Sequence, residues 1–303
     1  MNEAPTSGQS AASVEQALQD EMARGDAVIA DAGSILRRLL DHGDRALFSD
    51  AAIARVHGML LDLAARLLAG DAAGREGTAI SHPQQDQLAL ALADEPALLA
   101  HAHALALEGE MAERLQQRSG IDSAVSPLVA ERAASDTPLA GVAGDLLASQ
   151  ARFLRHFRRM ELPLNELPLE LFEIAMRTLG SNVHAGTDYD ETSSRLGLLA
   201  RFVMSLDHGA HRALSIEQAG LAVFASALAD ASGQSRDRTV LSLSRSQFAR
   251  LALALRAAGL DQAATARELR LIHPDQTLPH GFESVRSDFA AATLSGAAFE
   301  PAG

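Results

Sequence analysis

Between Ile53 and Leu67 the chain reads IARVHGMLLDLAARL, placing Ile53, Val56, Leu60, Leu63 and Leu67 at steps of three and four. Such steps return to one side of a helix with roughly 3.6 residues per turn, so the stretch predicts an amphipathic helix. Ser49, just before it, has the chemistry of an N-cap. A second stripe follows Ser215, where Gln218 completes a capping-box pattern and Ile216, Ala219, Val223 and Ala227 share a face. Leu196, Leu199, Val203 and Leu206 predict the helix before it. That helix is expected to stop at Gly209, with His208 near its negative pole.

The same reading extends along the chain. Ser81 and Gln84 open a helix that breaks near Pro96, and Pro96 suits the first turn of another reaching about Leu115. Further helices are expected from Thr137 to about Met160, from about Pro168 to Gly180, after Ser244, after Asp261, and over Val285 to Leu294. Only Thr239 to Leu243 alternates with the period of a strand. The expected fold class is all-α, with about ten helices arranged as hairpins. Two related bundles and a short irregular helical-repeat stack both fit.

Leu40-Asp41-His42-Gly43 recurs as Leu206-Asp207-His208-Gly209, each followed by Arg-Ala-Leu and then Ser. Leu-Ala-Leu-Ala-Leu recurs as well, at Leu88 to Leu92 and Leu251 to Leu255. These marks predict a disordered tail over 1–13, a helical half over 14–180, and a second half over 190–299 that duplicates part of the first. The Asp and His of each copy also suit ordinary capping at a helix end that stops on Gly.

All 26 basic residues are Arg, and Lys and Cys are absent. A Walker A lysine, a Schiff base, a thiolate nucleophile, a disulfide and Cys-ligated zinc are therefore excluded. The net charge of −13 opposes binding to a nucleic-acid backbone, and 4% aromatic residues give little for stacking on bases. A helix-turn-helix over Phe248 to Arg286 is disfavoured because Pro274, Pro279 and Gly281 interrupt its second helix. The first 13 residues lack the features of a secretory signal, and no apolar stretch is long enough for a bilayer. A cytoplasmic location is expected.

The densest basic patch is Arg152, Arg155, Arg158 and Arg159, with His156 beside it and Phe153, Phe157 and Met160 on another face. Guanidinium groups at this spacing can grip a partner's carboxylates, or pair with the chain's own Glu161, Glu166 or Glu170. His101 and His103, two apart on one helix, point in different directions and read as surface or capping residues. Asp188, Asp190 and Glu191, near His184 and Tyr189, read as a helix start capped by Asp190. No metal-ligand or nucleophile motif stands out.

Two stretches, Ala151 to Pro168 and Arg250 to Leu260, resemble segments of uncharacterised all-helical alphaproteobacterial proteins, a resemblance that implies no activity. Asp136 to Leu147, with Val142 and Leu146 after an acidic turn, resembles a HEAT-type repeat, although Ala143 stands where such repeats often carry Arg.

The expected function is a non-enzymatic, helical protein-interaction module, regulatory or scaffolding. Its partner would be a protein bound through Arg152, Arg155, Arg158 and Arg159, with no cofactor, nucleic acid or membrane. The alternative is a metal-assisted enzyme using His, Asp and Glu side chains.

Overall fold

The computed structural model describes residues 11–42, 50–73, 81–180, 189–206 and 210–296. Among them are fourteen α-helices and no strand: α1 (Ala11–His42), α2 (Asp50–Ala73), α3 (His82–Ala93), α4 (Pro96–Ser119), α5 (Pro127–Ala133), α6 (Leu139–Arg158), α7 (Leu169–Thr178), α8 (Arg195–Met204), α9 (Ala210–Ala213), α10 (Ile216–Ser232), α11 (Arg236–Leu241), α12 (Phe248–Ala257), α13 (Gln262–Ile272) and α14 (Ser287–Gly296). The all-α class is therefore as the periodicity predicts. No described helix is long and apolar enough to cross a membrane.

Several helix starts follow the sequence chemistry. At α3, the Gln84 carbonyl accepts from the Ser81 backbone N–H at 3.2 Å and from its hydroxyl at 2.9 Å. Pro96 opens α4, which ends on Gly120 in the left-handed conformation (φ 67°). Asp261 caps α13 by accepting from Ala264 N at 2.7 Å. Each contact satisfies a group that the helix end would otherwise leave bare.

The chain groups into two compact units, one of Met1–Ala30 with Ala227–Gly303, the other of Asp31–Ser226. The divisions thus fall inside α1 and α10 rather than in the loop 181–190. In the larger unit, α2 packs on α3 and α4, while α6 packs on α4, α5 and α8. Val56, Leu60, Leu63 and Leu67, the stripe of α2, are all buried there. In the smaller unit, α12 packs on α13 and α14, and Val14, Leu18 and Met22 of α1 are buried.

Five expectations change. Helix α1 begins at Ala11, three residues inside the stretch read as a disordered tail; the rest of that stretch lies outside the described residues. Thr239 to Leu241 are helical because Ser235 caps α11, accepting from Arg238 N. Helix α8 stops at Met204 rather than Gly209. The α10 stripe is buried as expected, but Gly220 (φ 68°, ψ 164°) breaks the helix within it. Asp190 caps only a 3-10 turn, Glu191–Ser193, and Ser194 caps α8.

The first Leu-Asp-His-Gly copy ends α1 at His42; Gly43, Ser49 and the Asp207-His208-Gly209 of the second copy lie outside the described residues. The helices around the two copies differ in length: 32 and 24 residues for α1 and α2, against 10 and 17 for α8 and α10.

Candidate functional site: the two faces of α6

Helix α6 alternates between a buried and a solvent-facing side. Ala143, Leu146, Gln150, Phe153, Leu154 and Phe157 face inward. Gly141, Gly144, Ala148, Ala151, Arg152 and Arg155 are exposed. The inward side is clamped by close approaches: a Cβ on Gly109 of α4 would sit 2.2 Å from the Phe157 ring. The Arg55 guanidinium lies 4.0 Å from that ring's centroid and donates to the Phe157 carbonyl at 3.4 Å. Phe157 is thereby held between α4 and α2.

The end of α6 is pinned to α2. Met160 has φ 57°, unusual for a side-chain-bearing residue, and rests on Gly58, where a Cβ would approach its own Cβ to 2.7 Å. Asp62 of α2 accepts from Leu162 N at 2.8 Å and from Arg66 Nε at 2.6 Å. Glu161 meets His156 Nδ1 at 2.5 Å. That hydrogen bond, more than the charges of His156, Arg159 and Arg66, holds the Glu161 carboxyl below the usual carboxylate range.

These contacts fix where the arginines point. Arg158 pairs with Glu113 of α4 at 3.0 Å, and Arg159 lies 4.0 Å from Glu161. Arg152 and Arg155 are exposed and make no ion pair among the described residues. Of the three acids that could neutralise the patch, Glu161 does so in part, while Glu166 turns inward to Arg195. Arg155 and Arg158 lie in the last turn of α6 and Arg159 at its C-cap, where positive charge is favoured by the helix dipole.

Behind this face lies a group that the sequence reading missed. Arg195, the first residue of α8, is fully buried and pairs with Glu108 of α4 at 2.8 Å and with Glu166 at 2.7 Å. It also donates to Gln150 of α6 at 3.3 Å, and its guanidinium covers the Phe153 ring at 3.7 Å. Burial alone would lower its pKa, but Glu108 and then Glu166 override this and raise it, so the group stays charged. A cation at a helix N-terminus opposes the dipole, so the two carboxylates and not the helix hold it there. Gly197 lets α8 sit against the preceding turn, since a Cβ there would lie 2.1 Å from the Glu191 carbonyl.

A signal for this cluster existed. Glu108 falls on the apolar stripe of α4 that runs through Leu98, Ala102, Leu105, Ala112 and Leu115, where a solvated acid does not belong. His101 is likewise buried, and its Nε2 donates to the Glu166 carbonyl at 2.9 Å, so it is neither a surface nor a capping residue. His103 is partly buried, and desolvation lowers its pKa to about 4 despite the opposing charge of Glu110. Tyr189 stacks on Phe172 with centroids 4.7 Å apart and donates to the Leu167 carbonyl. His184 and Asp188 lie outside the described residues.

Among the described residues no three His, Asp or Glu side chains converge to hold a metal ion. Comparison with family models, with curated proteins and with solved structures yields no match to this chain.

Proposed function

We propose that this chain is a helical protein-interaction module whose docking face is the exposed C-terminal half of α6, and that its partner presents an acidic helix. The observation that carries the reading is Arg152 and Arg155. They are exposed and have no ion-pair partner among the described residues, although acids outnumber bases by 39 to 26 in the chain. Arg158 and Arg159 extend the positive edge. Gly144, Ala148 and Ala151 beside it are small and exposed, so a partner helix can approach the backbone closely while its carboxylates reach the guanidinium groups. The pinning of α6 by Asp62, Gly58 and Gly109 supports the same reading, because a rigid face loses less entropy on binding.

The test is affinity capture from native extract, with wild type and an Arg152→Glu/Arg155→Glu variant compared side by side. A protein held stoichiometrically by wild type, released by about 0.5 M salt and not held by the variant, is the expected outcome. Equal capture by both chains, or none by wild type, would overturn the reading.

A further inference from the structure

We propose that α6 pairs with α6 of a second copy of this chain, antiparallel across a twofold axis at Ala148, and that this pair covers the docking face until an acidic partner displaces it. The displacement rests on the preceding reading, whereas the pairing needs only the residues of α6 itself.

The exposed face of α6 carries its charges in a fixed order. Residues seven apart on a helix return to nearly the same side, with a drift of about 20°. Gly141, Ala148 and Arg155 therefore form a central row, flanked by Asp145 and Arg152 on one side and by Gly144 and Ala151 on the other; all are exposed. Asp145, like Arg152 and Arg155, makes no ion pair among the described residues. One row thus holds an acid and a base two turns apart, and its electrostatic complement is the same row reversed.

The two glycines point the same way. Glycine inside a helix weakens it relative to alanine. A Cβ on Gly141 or Gly144 would meet nothing within 4 Å, so the chain's own packing does not require either of them. A helix approaching from outside does.

Charge sets the direction of the pair. Two parallel copies would set Asp145 against Asp145 and Arg152 against Arg152. In the antiparallel arrangement, Asp145 of one copy comes within one residue's rise, about 1.5 Å along the axis, of the other copy's Arg152 on the same flank. The twofold repeats the contact, so both acids are matched, and the two helix dipoles oppose one another. On the other flank Gly144 meets Ala151, and Ala148 meets its own counterpart at the axis. Small residues at these positions bring the helix axes to the short end of the usual range of about 8–10 Å. A single helix pair buries less than the roughly 1,200–2,000 Å² of a stable complex, and exposed ion pairs add little. The dimer is therefore weak, with a Kd of about 10–100 μM, and a helix bringing more carboxylates to Arg152 and Arg155 displaces it.

The test is sedimentation velocity of the full chain over a concentration series that spans about 1–500 μM. A reversible monomer–dimer equilibrium that weakens with salt is expected. Asp145→Arg and Arg152→Asp each weaken it at least about tenfold with Tm unchanged, and the double variant Asp145→Arg/Arg152→Asp returns it to within about threefold of wild type. An added helical peptide with Glu at three–four spacing converts the wild-type dimer to monomer, and binds Asp145→Arg at least as tightly as wild type. A wild type that stays monomeric throughout, single variants that dimerise as well as wild type, a double variant that fails to recover, or a dimer that persists with peptide bound would each overturn the proposal. A monomeric chain that binds the peptide removes this inference alone; a charge-swappable dimer that binds no peptide removes the docking reading and, with it, the displacement.

Discussion

Among the described residues each compact unit buries one arginine side chain almost completely, and the two are neutralised in opposite ways. Arg195 meets two carboxylates, Glu108 and Glu166, whose side chains are 1% and 6% exposed. Arg250 meets one, Asp26 of α1, which is 24% exposed, and also donates to Gln234 at 2.8 Å. A second guanidinium, Arg238, is held below the usual arginine range by burial and then by the charge of Arg250. The first cluster is sealed, with two carboxylates on one guanidinium; the second opens to water at Asp26. Water can therefore replace a lost partner in the second cluster but not in the first.

The sharpest way to break this contrast is to remove each arginine. Arg195→Met strands two carboxylates in the interior and is expected to cost about 3–5 kcal/mol, measured by urea denaturation. Arg250→Met is expected to cost about 1–3 kcal/mol, because Asp26 can hydrate. Equal losses would erase the distinction. Removing a carboxylate reverses the ranking: Asp26→Asn takes the counter-charge from Arg250 and costs about 1–3 kcal/mol. Glu166→Gln keeps an acceptor for Arg195 Nε while Glu108 still neutralises the guanidinium, and should stay within about 1 kcal/mol of wild type.

Titration and salt probe smaller effects. His103 shares α4 with Glu108, and burial keeps it neutral in the folded chain down to about pH 4. The unfolded chain protonates the same residue near pH 6.5. It therefore binds more protons between those values, so stability falls as pH drops from about 6.5 to 4. His103→Phe should flatten that part of the profile; an unchanged slope would mean that His103 is solvated. Raising salt from about 0.1 to 1 M should change the Arg250→Met difference and leave the Arg195→Met difference nearly constant, since screening acts on exposed charge.

The contrast also marks what was legible in the sequence. Helix periodicity, the Ser81–Gln84 pair, Pro96 and the Asp261 cap are local, and each acts over a few residues. The exposed arginines of α6 were legible for the same reason: a run of guanidinium groups beside Phe153 and Phe157 divides one helix into two faces. The Arg195 cluster depends on partners 87 and 29 residues away, and buried charge reverses the pattern by which a sequence reveals its core. Gly220 was hidden differently. The stripe through Ile216, Ala219, Val223 and Ala227 survives the break because both segments of α10 are buried. Leu-Ala-Leu-Ala-Leu carries the same lesson: in α12 all five residues are buried, whereas in α3 Leu90 is 42% exposed. Identical words have different surroundings.

The sealed cluster holds the inner face of α6 through Gln150 and Phe153, and the proposed docking uses the outer face. The most direct measurement is the affinity of the full chain for a helical peptide with Glu at three–four spacing, by fluorescence anisotropy, against its Gln counterpart. Binding is expected to prefer Glu, weaken steadily with salt, and fall at least about tenfold in Arg152→Glu/Arg155→Glu with Tm unchanged. Equal affinity for the Gln peptide, or an unaltered affinity in the charge-reversed chain, would contradict it.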